Sequence, residues 1–412
     1  MTLSVTQDRP TILQIIPQLD TGGAELSAIE ITEAIVCAGG RALVATEGGR
    51  LQSRITECGG EIIPFPAATK NPLRMLANAR ALARLVAAER VDLLHARSRA
   101  PAWSALLAAR STRKPFVTTY HGAYAERGRL KRLYNSVMAR ADCVIANSEF
   151  TADLVRRRYG TPDARIRVIH RGVDLAAFDP VRCSEAKVSA LRRGWGVPDD
   201  RPIVLQAARL TGWKGQRVTI EAVAALKSSG RLGRVAVVLA GDAQGRDGYA
   251  DTLRALVDRH GLADVVRFPG HVSDMATAFR AAHVAVIAST EPEAFGRTAT
   301  EAQAMGCPVI ATDIGAPRET VLPSDTSRPT PGTGWLVPPG DAAALANSLA
   351  QALALSPEAR AEMGAAARRN VEQRFTLDRM RLATLEVYDQ LLGAGLARRF
   401  AAATELRSCK DA

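Results

Sequence analysis

The chain has 412 residues, of which 47% are hydrophobic and 23% charged, so it can bury full-sized cores, and its length suggests two or three domains. No stretch approaches the roughly 18 consecutive apolar residues of a membrane-spanning helix, which excludes a protein that crosses the bilayer. The formal net charge of +12 favours an anionic partner, and the low aromatic content of 5% argues against nucleic acid because no base-stacking platform accompanies the charge.

The six cysteines are scattered, and none forms a C-x-x-C pair. The first ten residues, MTLSVTQDRP, are polar and show no apolar signal region. We therefore expect a cytoplasmic protein with reduced thiols.

In the first part of the chain, apolar runs of strand length alternate with Ala/Leu/Arg stretches that have a 3.6-residue period. This βαβα order predicts a parallel sheet with helices on both faces. The predicted strands are TILQIIPQL (11–19), RALVAT (41–46), EIIPF (61–65), VDLLHA (91–96), PFVTTY (115–120) and ADCVIANS (141–148).

A basic, amphipathic segment, ERGRLKRLYNSVMARA (126–141), follows the fifth predicted strand, and RRR (156–158) adds further charge. Two interpretations stay open. The segment is a surface helix whose apolar stripe faces the domain core, or a basic helix on anionic membrane lipid, where each exposed cation contributes about 1 kcal/mol. The second interpretation places a peripheral protein on the cytoplasmic face of the inner membrane, held by Arg127, Arg129, Lys131 and Arg132.

A second strand series follows a polar segment near residues 175 to 200, and from Asp341 onward only helix signals remain. The sequence therefore predicts two doubly wound α/β domains, with the carboxyl ends of both sheets facing a central cleft where open α/β sheets bind ligands. The predicted strands of the second series are PIVLQAARL (202–210), VAVVLAG (235–241), VVRFPG (265–270), VAVIAST (284–290), PVIAT (308–312) and GWLVP (334–338).

Two loops after strands of the first domain carry candidate site residues. DTGGAE (20–25) opens a helix, and Gly22 and Gly23 let the backbone approach an anion there, although the loop is neither G-x-G-x-x-G nor a P-loop. In TYHG (119–122), His121 is placed as a polar group facing the cleft, or as an ordinary structural hydrogen-bonding histidine.

Two loops of the second domain carry more chemistry. In ARLTGWKG (208–215), Arg209 and Lys214 are candidates to converge on a diphosphate. In EPEAFGRTATEAQAMG (291–306), Thr298 and Glu301 have capping-box spacing, so Glu301 has a structural explanation. Capping does not explain Glu293, since it precedes the helix. An acid beside an anion site fits a ligand that offers hydroxyl donors next to phosphates, as a sugar nucleotide does.

These loops also carry a family resemblance. E-P-E-x-F-G-x-x-x-x-E-A followed by G-x-P-V-I-A-T, with R-L-x-x-x-K-G upstream and G-W-L-V-P-P-G-D downstream, resembles the GT4-type family of retaining glycosyltransferases, which have the GT-B fold. The likeness runs from the TGGAE loop through HG, ANSEF (146–150) and RGVD (171–174) to Asp341. It implies an acceptor-binding domain over 1–178, a nucleotide-sugar-binding domain over 195–375, and helices over 376–412 that cross back to the first domain.

The resemblance also implies a role for each loop. Glu301 would hold the ribose hydroxyls, Arg209 and Lys214 the donor diphosphate, and 268–272 would line the base pocket. Glu293 would contact hydroxyls of the donor sugar, with His121 beside the same sugar. The implied catalytic residues are Glu293, His121, Arg209 and Lys214. The implied donor-binding residues are Gly22, Gly23, Arg209, Lys214, Gly270, His271, Val272, Glu293, Ala294, Phe295, Gly296, Arg297, Thr298 and Glu301.

The expected activity is retaining transfer of a sugar from a nucleoside-diphosphate sugar to a glycan or lipid-linked acceptor, in lipopolysaccharide or other cell-envelope polysaccharide synthesis. No metal or other cofactor is expected, because no D-x-D motif occurs. Arg171 departs from the Asn that this family usually has before Gly-Val-Asp. A sugar-nucleotide epimerase of similar architecture is the alternative. An NAD-dependent dehydrogenase is disfavoured by the missing glycine fingerprint, and a non-catalytic binding module by the acidic pair.

Overall fold

The computed structural model describes residues 9–20, 22–124, 126, 128–243, 245, 247–324 and 331–411, except for the side chains of 247 and 407–411. The chain divides into two compact units. Unit 1 consists of Met1–Gly172 together with Leu377–Ala412, and unit 2 is Val173–Thr376.

Unit 1 contains a parallel sheet of seven described strands in the order β3-β2-β1-β4-β5-β6-β7. Its strands are β1 Thr11–Ile15, β2 Arg41–Thr46, β3 Glu61–Pro64, β4 Leu93–Ala96, β5 Phe116–Tyr120, β6 Cys143–Ala146 and β7 Ile166–Val168. Its helices are α1 Gly23–Cys37, α2 Gln52–Glu57, α3 Pro72–Ala88, α4 Arg99–Thr112, α5 Arg129–Asn135, α6 Glu149–Tyr159, and, from the end of the chain, α15 Leu377–Leu392 and α16 Leu396–Asp411.

Unit 2 contains a parallel sheet of six described strands in the order β10-β9-β8-β11-β12-β13. Its strands are β8 Ile203–Ala207, β9 Ala236–Ala240, β10 Val266–Gly270, β11 Val284–Ile287, β12 Val309–Thr312 and β13 Gly334–Val337. Its helices are α7 Glu185–Gly194, α8 Gln216–Ser228, α9 Asp247–Arg259, α10 Met275–Ala281, α11 Arg297–Ala304, α12 Pro317–Thr320, α13 Ala342–Leu353 and α14 Pro357–Arg374.

Each sheet is buried on both faces, which explains why its strands are continuous apolar runs rather than alternating ones. In β1, Leu13 packs into the cluster that α3 and α4 cover, whereas its neighbour Ile12 packs into the cluster that holds Leu385 and Tyr388 of α15. Unit 2 repeats the arrangement, with Val204 and Leu205 of β8 in two different clusters. The predicted α/β class with two Rossmann-like parallel sheets is confirmed.

The structure changes some of the predicted elements. The predicted strand 11–19 ends at Ile15, because the chain turns at Pro17 into the loop that precedes α1. The edge strand β7 has no counterpart in the sequence prediction, since IRV is too short and too polar to stand out. Of the described helices, none is both long and apolar enough to cross a membrane.

Candidate active site

The unit 2 sheet has a switch point at β8, because the chain leaves it for β9 on one side while β11 pairs with it on the other. The loops after β8 and β11 therefore leave the same edge side by side. They touch at Gly215, which has φ +72°; a Cβ there would stand 1.8 Å from the Ala288 carbonyl oxygen. Only glycine permits both this conformation and this approach. The ARLTGWKG and EPEAFG loops are thus neighbours in unit 2.

Lys214 and Glu293 form an ion pair between these two loops. Lys214 Nζ lies 2.5 Å from Glu293 Oε1, and the side chains are only 18% and 11% exposed. The Ser289 hydroxyl donates to the same carboxylate oxygen at 2.5 Å, and the ammonium also lies 4.2 Å from the Trp213 ring centroid. Charge-assisted bonds of this kind hold both side chains in place. The sequence analysis did not single out Ser289, and an isolated serine after a strand gives no signal for this role.

Arg209 lies on the same loop as Lys214, with an exposed side chain that has no hydrogen-bond or ion-pair partner in the described part of the chain. Two buried glutamines fix the loop beneath it. Gln216 Nε2 donates to the Arg209 carbonyl at 2.9 Å, and Gln206 Nε2 donates to the Lys214 carbonyl at 2.7 Å. The loop is therefore rigid at its base while the Arg209 guanidinium stays available to a ligand.

Helix α11 begins earlier than the capping-box pattern predicts. Gly296, at φ +85°, occupies the N-cap position and makes no side-chain capping bond, so Thr298 lies inside the helix. The capping-box prediction for Thr298 and Glu301 is therefore wrong, because a left-handed glycine already ends the preceding loop. Glu301 instead accepts a hydrogen bond from Arg297 Nε at 2.8 Å. The amino end of a helix attracts anions through its dipole and its main-chain N–H groups.

Phe295 and Ala294 lead from the loop into α11. The Phe295 side chain is 3% exposed and packs edge-on against Phe375, with ring centroids 5.7 Å apart. Its side chain is thus part of the core, which leaves only its main chain for a ligand. The segment after β12 holds the loop before Phe295. Gly315 forms an isolated parallel β-bridge with Glu293, and Ala316 N donates to the Glu293 carbonyl at 2.9 Å.

The segment Gly270, His271 and Val272 leaves the same sheet edge at β10. Gly270 has φ +76° and accepts a hydrogen bond from Gly241 N at 2.8 Å, which ties the segment to the loop after β9. The His271 side chain is exposed, and Val272 packs partly against the core of unit 2. Phe268, which lies two residues before Gly270, is also half-buried.

In unit 1, His121 follows β5 and is held by Arg171. The Arg171 Nη2 donates to His121 Nδ1, which leaves the proton of the neutral imidazole on Nε2. Nε2 is buried and has no hydrogen-bond partner among the described residues. Burial, reinforced by the Arg171 and Arg97 charges, lowers the pKa of His121 well below its ordinary value. His121 is therefore a neutral N–H donor at neutral pH. The Arg171 that departs from the family pattern determines its tautomer.

Sequence analysis missed a buried polar network at the switch point of unit 1, between β1 and β4. Arg97 is 2% exposed, with Nε donating to Gln14 Oε1 at 2.5 Å and Nη1 donating to Ser27 Oγ at 3.3 Å. His95 lies two residues earlier and contacts Tyr388 of α15 at 2.7 Å. The charged Arg97 directly after the apolar strand, in LLHAR, was the feature of the sequence that could have indicated this network.

Gly22 and Gly23 lie at the start of α1 in unit 1, and both are exposed. A Cβ at Gly23 would meet nothing within 4 Å, whereas a Cβ at Gly22 would stand 2.5 Å from the Glu25 carboxylate. The described residues contain no group of three His, Cys, Asp or Glu side chains placed to hold a metal ion.

Two family models match the chain. Residues 21–177 match the model described as Glycosyltransferase Family 4, and residues 188–370 match the model described as Glycosyl transferases group 1. Curated relatives include D-inositol 3-phosphate glycosyltransferases of Xylanimonas cellulosilytica, 36% identical over 257 residues, and of Streptomyces scabiei, 38% identical over 259 residues. These matches cover 62% and 61% of this chain but only 58% and 54% of the relatives' own length.

Solved structures match over nearly the whole chain. A glycosyltransferase from Rickettsia africae is 33% identical, with a TM-score of 0.84 over 93% of this chain and 99% of that one. HepE from Anabaena, in complex with UDP-glucose, is 26% identical, with a TM-score of 0.78 over 92% of this chain and 100% of that one. The chain therefore belongs to the GT4-type, group 1 glycosyltransferases, and its two Rossmann-like units are those of the GT-B fold class.

Proposed function

We propose that this chain transfers a sugar from a nucleoside-diphosphate sugar to a glycan or lipid-linked acceptor, with retention at the anomeric carbon and without a metal ion. The observation that carries the proposal is the ion pair of Lys214 with Glu293 at the switch point of unit 2, since Glu293 lies in the loop that leads into α11. A cation and a helix amino end suit a diphosphate, and a carboxylate suits hydroxyl groups. The UDP-glucose complex of HepE supports the same donor class.

The donor contacts follow from the chemistry of each group. Arg209, Lys214 and the first N–H groups of α11, at Arg297 and Thr298, bind the diphosphate. Glu301 accepts hydrogen bonds from the ribose hydroxyls. The sugar contacts Glu293 and the Ala294, Phe295 and Gly296 main chain, and the base contacts Gly270, His271 and Val272. Gly22 and Gly23 are further proposed donor-binding residues.

Lys214 changes partner when the donor binds. In the ligand-free pair, Glu293 Oε1 accepts from both Lys214 and Ser289. An incoming diphosphate carries more negative charge than one carboxylate, so it competes for the ammonium. Glu293 then keeps the Ser289 bond and has acceptor capacity for a sugar hydroxyl. The ion pair thus holds the Glu293 side chain in place until the donor arrives.

Bond cleavage develops negative charge on the departing nucleoside diphosphate. Arg209, Lys214 and the α11 amino end stabilise that charge with fixed cations and dipoles, which is the largest contribution in many active sites. His121 acts on the donor sugar as a neutral Nε2–H donor. An acceptor hydroxyl oxygen then bonds to the anomeric carbon on the face that the diphosphate leaves, its proton passes to the departing diphosphate, and the configuration is retained. An excess of chelator should leave turnover unchanged, and loss of activity that added divalent metal restores would disprove metal independence.

For the acceptor, two classes are proposed. The first is a saccharide of lipopolysaccharide or another cell-envelope polysaccharide. The second is a phosphorylated cyclitol, which the names of the curated relatives favour. Radiolabelled donor incubated with each acceptor class separately distinguishes them by the chemistry of the labelled product.

We also propose a cytoplasmic enzyme that binds the anionic face of the inner membrane through α5. Arg129, Lys131 and Arg132 lie on α5, and Leu130 and Leu133 are 85% and 52% exposed there. Arg127, which was predicted to join them, lies outside the described residues. Binding to anionic vesicles should weaken with salt and on neutralising Arg129, Lys131 and Arg132; unchanged binding would contradict this part of the proposal.

The central experiment is a thermal-shift screen against nucleoside diphosphates and their sugars, followed by a transfer assay with the stabilising donor. A ligand that binds only the folded state raises its melting temperature. Failure of every nucleotide to stabilise the protein would disprove the donor site. Isomerisation of the sugar in donor-only incubations would favour the epimerase instead.

A further inference from the structure

A cavity of about 780 Å³ lies in unit 1 among α4, α5 and α6, lined by residues that the proposed transfer reaction does not use. Seven arginines contribute to its lining, and none of the described lining residues carries a carboxylate. Arg110 comes from the last turn of α4, and Arg129 and Arg132 come from α5. Seven guanidinium groups around one cavity repel one another unless an anion is present.

The remaining arginines come from three other segments: Arg140 before β6, Arg157 and Arg158 at the end of α6, and Arg165 before β7. In the described part of the chain, none of the seven forms an ion pair with a carboxylate. Carboxylates do lie close by, but they pair with the neighbouring Arg156 rather than with the cavity arginines.

Arg156 lies on α6 beside Arg157 but does not line the cavity. It pairs with three carboxylates: Asp153 at 2.7 Å, Asp163 at 2.6 Å and Glu149 at 3.9 Å. A fourth carboxylate, Glu126, accepts a hydrogen bond from the Tyr159 hydroxyl, and Tyr159 lines the cavity. The seven arginines thus leave the cavity with a large excess of positive charge.

Main-chain carbonyls hold several of the cavity arginines without neutralising them. Arg132 Nη2 donates to the Arg158 carbonyl at 2.6 Å, and Arg158 Nη1 donates to the Tyr124 carbonyl at 2.6 Å. Arg165 Nη1 donates to the Ala141 carbonyl at 3.4 Å. A guanidinium has five N–H donors, so each of these side chains keeps donors for a ligand. The arrangement is preordered for oxyanions, which planar guanidinium groups bind in pairs of hydrogen bonds.

We propose that this cavity binds a multiply phosphorylated anion, either a soluble polyphosphorylated compound or the phosphate head group of a lipid. A concave site with seven cations matches a compact ligand with several negative charges better than it matches a single carboxylate. The site is separate from the proposed donor residues of unit 2, so it does not depend on the proposed reaction.

The test compares two double variants of the full chain that lose the same charge. Arg157→Gln with Arg165→Gln removes two cavity cations outside α5. Arg80→Gln with Arg84→Gln removes two exposed cations of α3, also in unit 1, which do not line the cavity. Binding of inorganic tripolyphosphate is measured by calorimetry, with melting temperatures checking that both variants are folded. The donor residues of unit 2 are intact in both, so any binding there is common to both variants.

We expect the cavity variant to bind tripolyphosphate at least tenfold more weakly and the α3 variant to change affinity less than about twofold, since only the cavity variant loses charge-assisted hydrogen bonds to the ligand. A parallel arm measures sedimentation with phosphatidylcholine vesicles that contain phosphatidylinositol bisphosphate, whose head group carries several phosphates. Cavity-dependent binding of tripolyphosphate identifies a soluble ligand, and cavity-dependent binding of vesicles alone identifies a lipid head group. Equal losses in both variants, or no binding of either probe, would overturn the proposal.

Discussion

Lys214 and Glu293 contact each other at 2.5 Å across two loops that are 79 residues apart in the chain. Each is a candidate for a different part of the same ligand, the diphosphate and the sugar. The pair is mostly buried, so removal of one partner leaves the other charge buried without a partner of opposite charge. Its chemistry predicts that substitutions here change turnover more than they change donor affinity.

Glu293→Gln should lower kcat by about 100-fold and change the donor KM little, because the amide keeps the shape but loses the charge that strengthens hydroxyl contacts in the transition state. Steady-state kinetics with varied donor measure both constants. Glu291→Gln is the matched control, since Glu291 is exposed two residues upstream. Equal effects at Glu291 and Glu293 would contradict the assigned role.

Glu301→Ala should raise the donor KM about tenfold and leave kcat nearly unchanged, because binding of the ribose hydroxyls is the same in the ground state and the transition state. Glu301 also forms an i,i+4 ion pair with Arg297 whose side chains are mostly buried, so loss of the pair also lowers stability. Kinetics and a melting curve are measured together. A large fall in melting temperature with unchanged KM would assign Glu301 to structure alone.

The sequence predicted the order and positions of nearly all strands, because buried parallel strands are apolar runs with clear ends. It placed Lys214 and Glu293 on loops of the same sheet edge, since strand order in a doubly wound sheet brings such loops together. It failed where a contact depends on backbone conformation. The left-handed conformation of Gly296 makes α11 begin one residue before the predicted start at Thr298. No residue pattern predicts the contact of Arg171 with His121, 50 residues away in the chain.

Arg171→Asn, which restores the residue usual for the family, should raise the pKa of His121. The Arg171 charge disfavours the imidazolium, so its removal makes protonation easier and shifts the titration of His121 to higher pH. NMR titration of the histidine ring measures this directly, and the acid limb of kcat/KM should move the same way. Arg167→Asn, at a partly buried arginine within β7, serves as control. An unchanged His121 titration would show that Arg171 does not control it.

The stability of the protein should fall as the pH drops below about 6.5 because of His95. His95 is fully buried between Tyr388 and Thr119, and burial lowers its pKa well below the ordinary value of 6.5. Below pH 6.5 the unfolded chain binds a proton that the folded chain does not, so each such histidine costs up to ~1.4 kcal/mol per pH unit. Urea unfolding between about pH 5 and 8 measures the slope.

His95→Gln should reduce that slope, because glutamine does not titrate and can still reach hydrogen-bond partners. His260→Gln, at an exposed histidine of unit 2, should leave it unchanged. A slope that is the same in all three proteins would rule out His95 as its source.

Gly215→Ala should destabilise unit 2 by about 3 kcal/mol and weaken the binding of nucleoside diphosphates. The cost combines a left-handed conformation with an added methyl group that would stand 1.8 Å from the Ala288 carbonyl oxygen. Gly230→Ala separates the two contributions, because Gly230 has a similar φ of +68° and open space around it. That control should lose only about 1 kcal/mol and bind nucleotide normally. Since relief of the clash must separate the loops after β8 and β11, equal losses at both glycines would mean that the close approach of these loops contributes nothing.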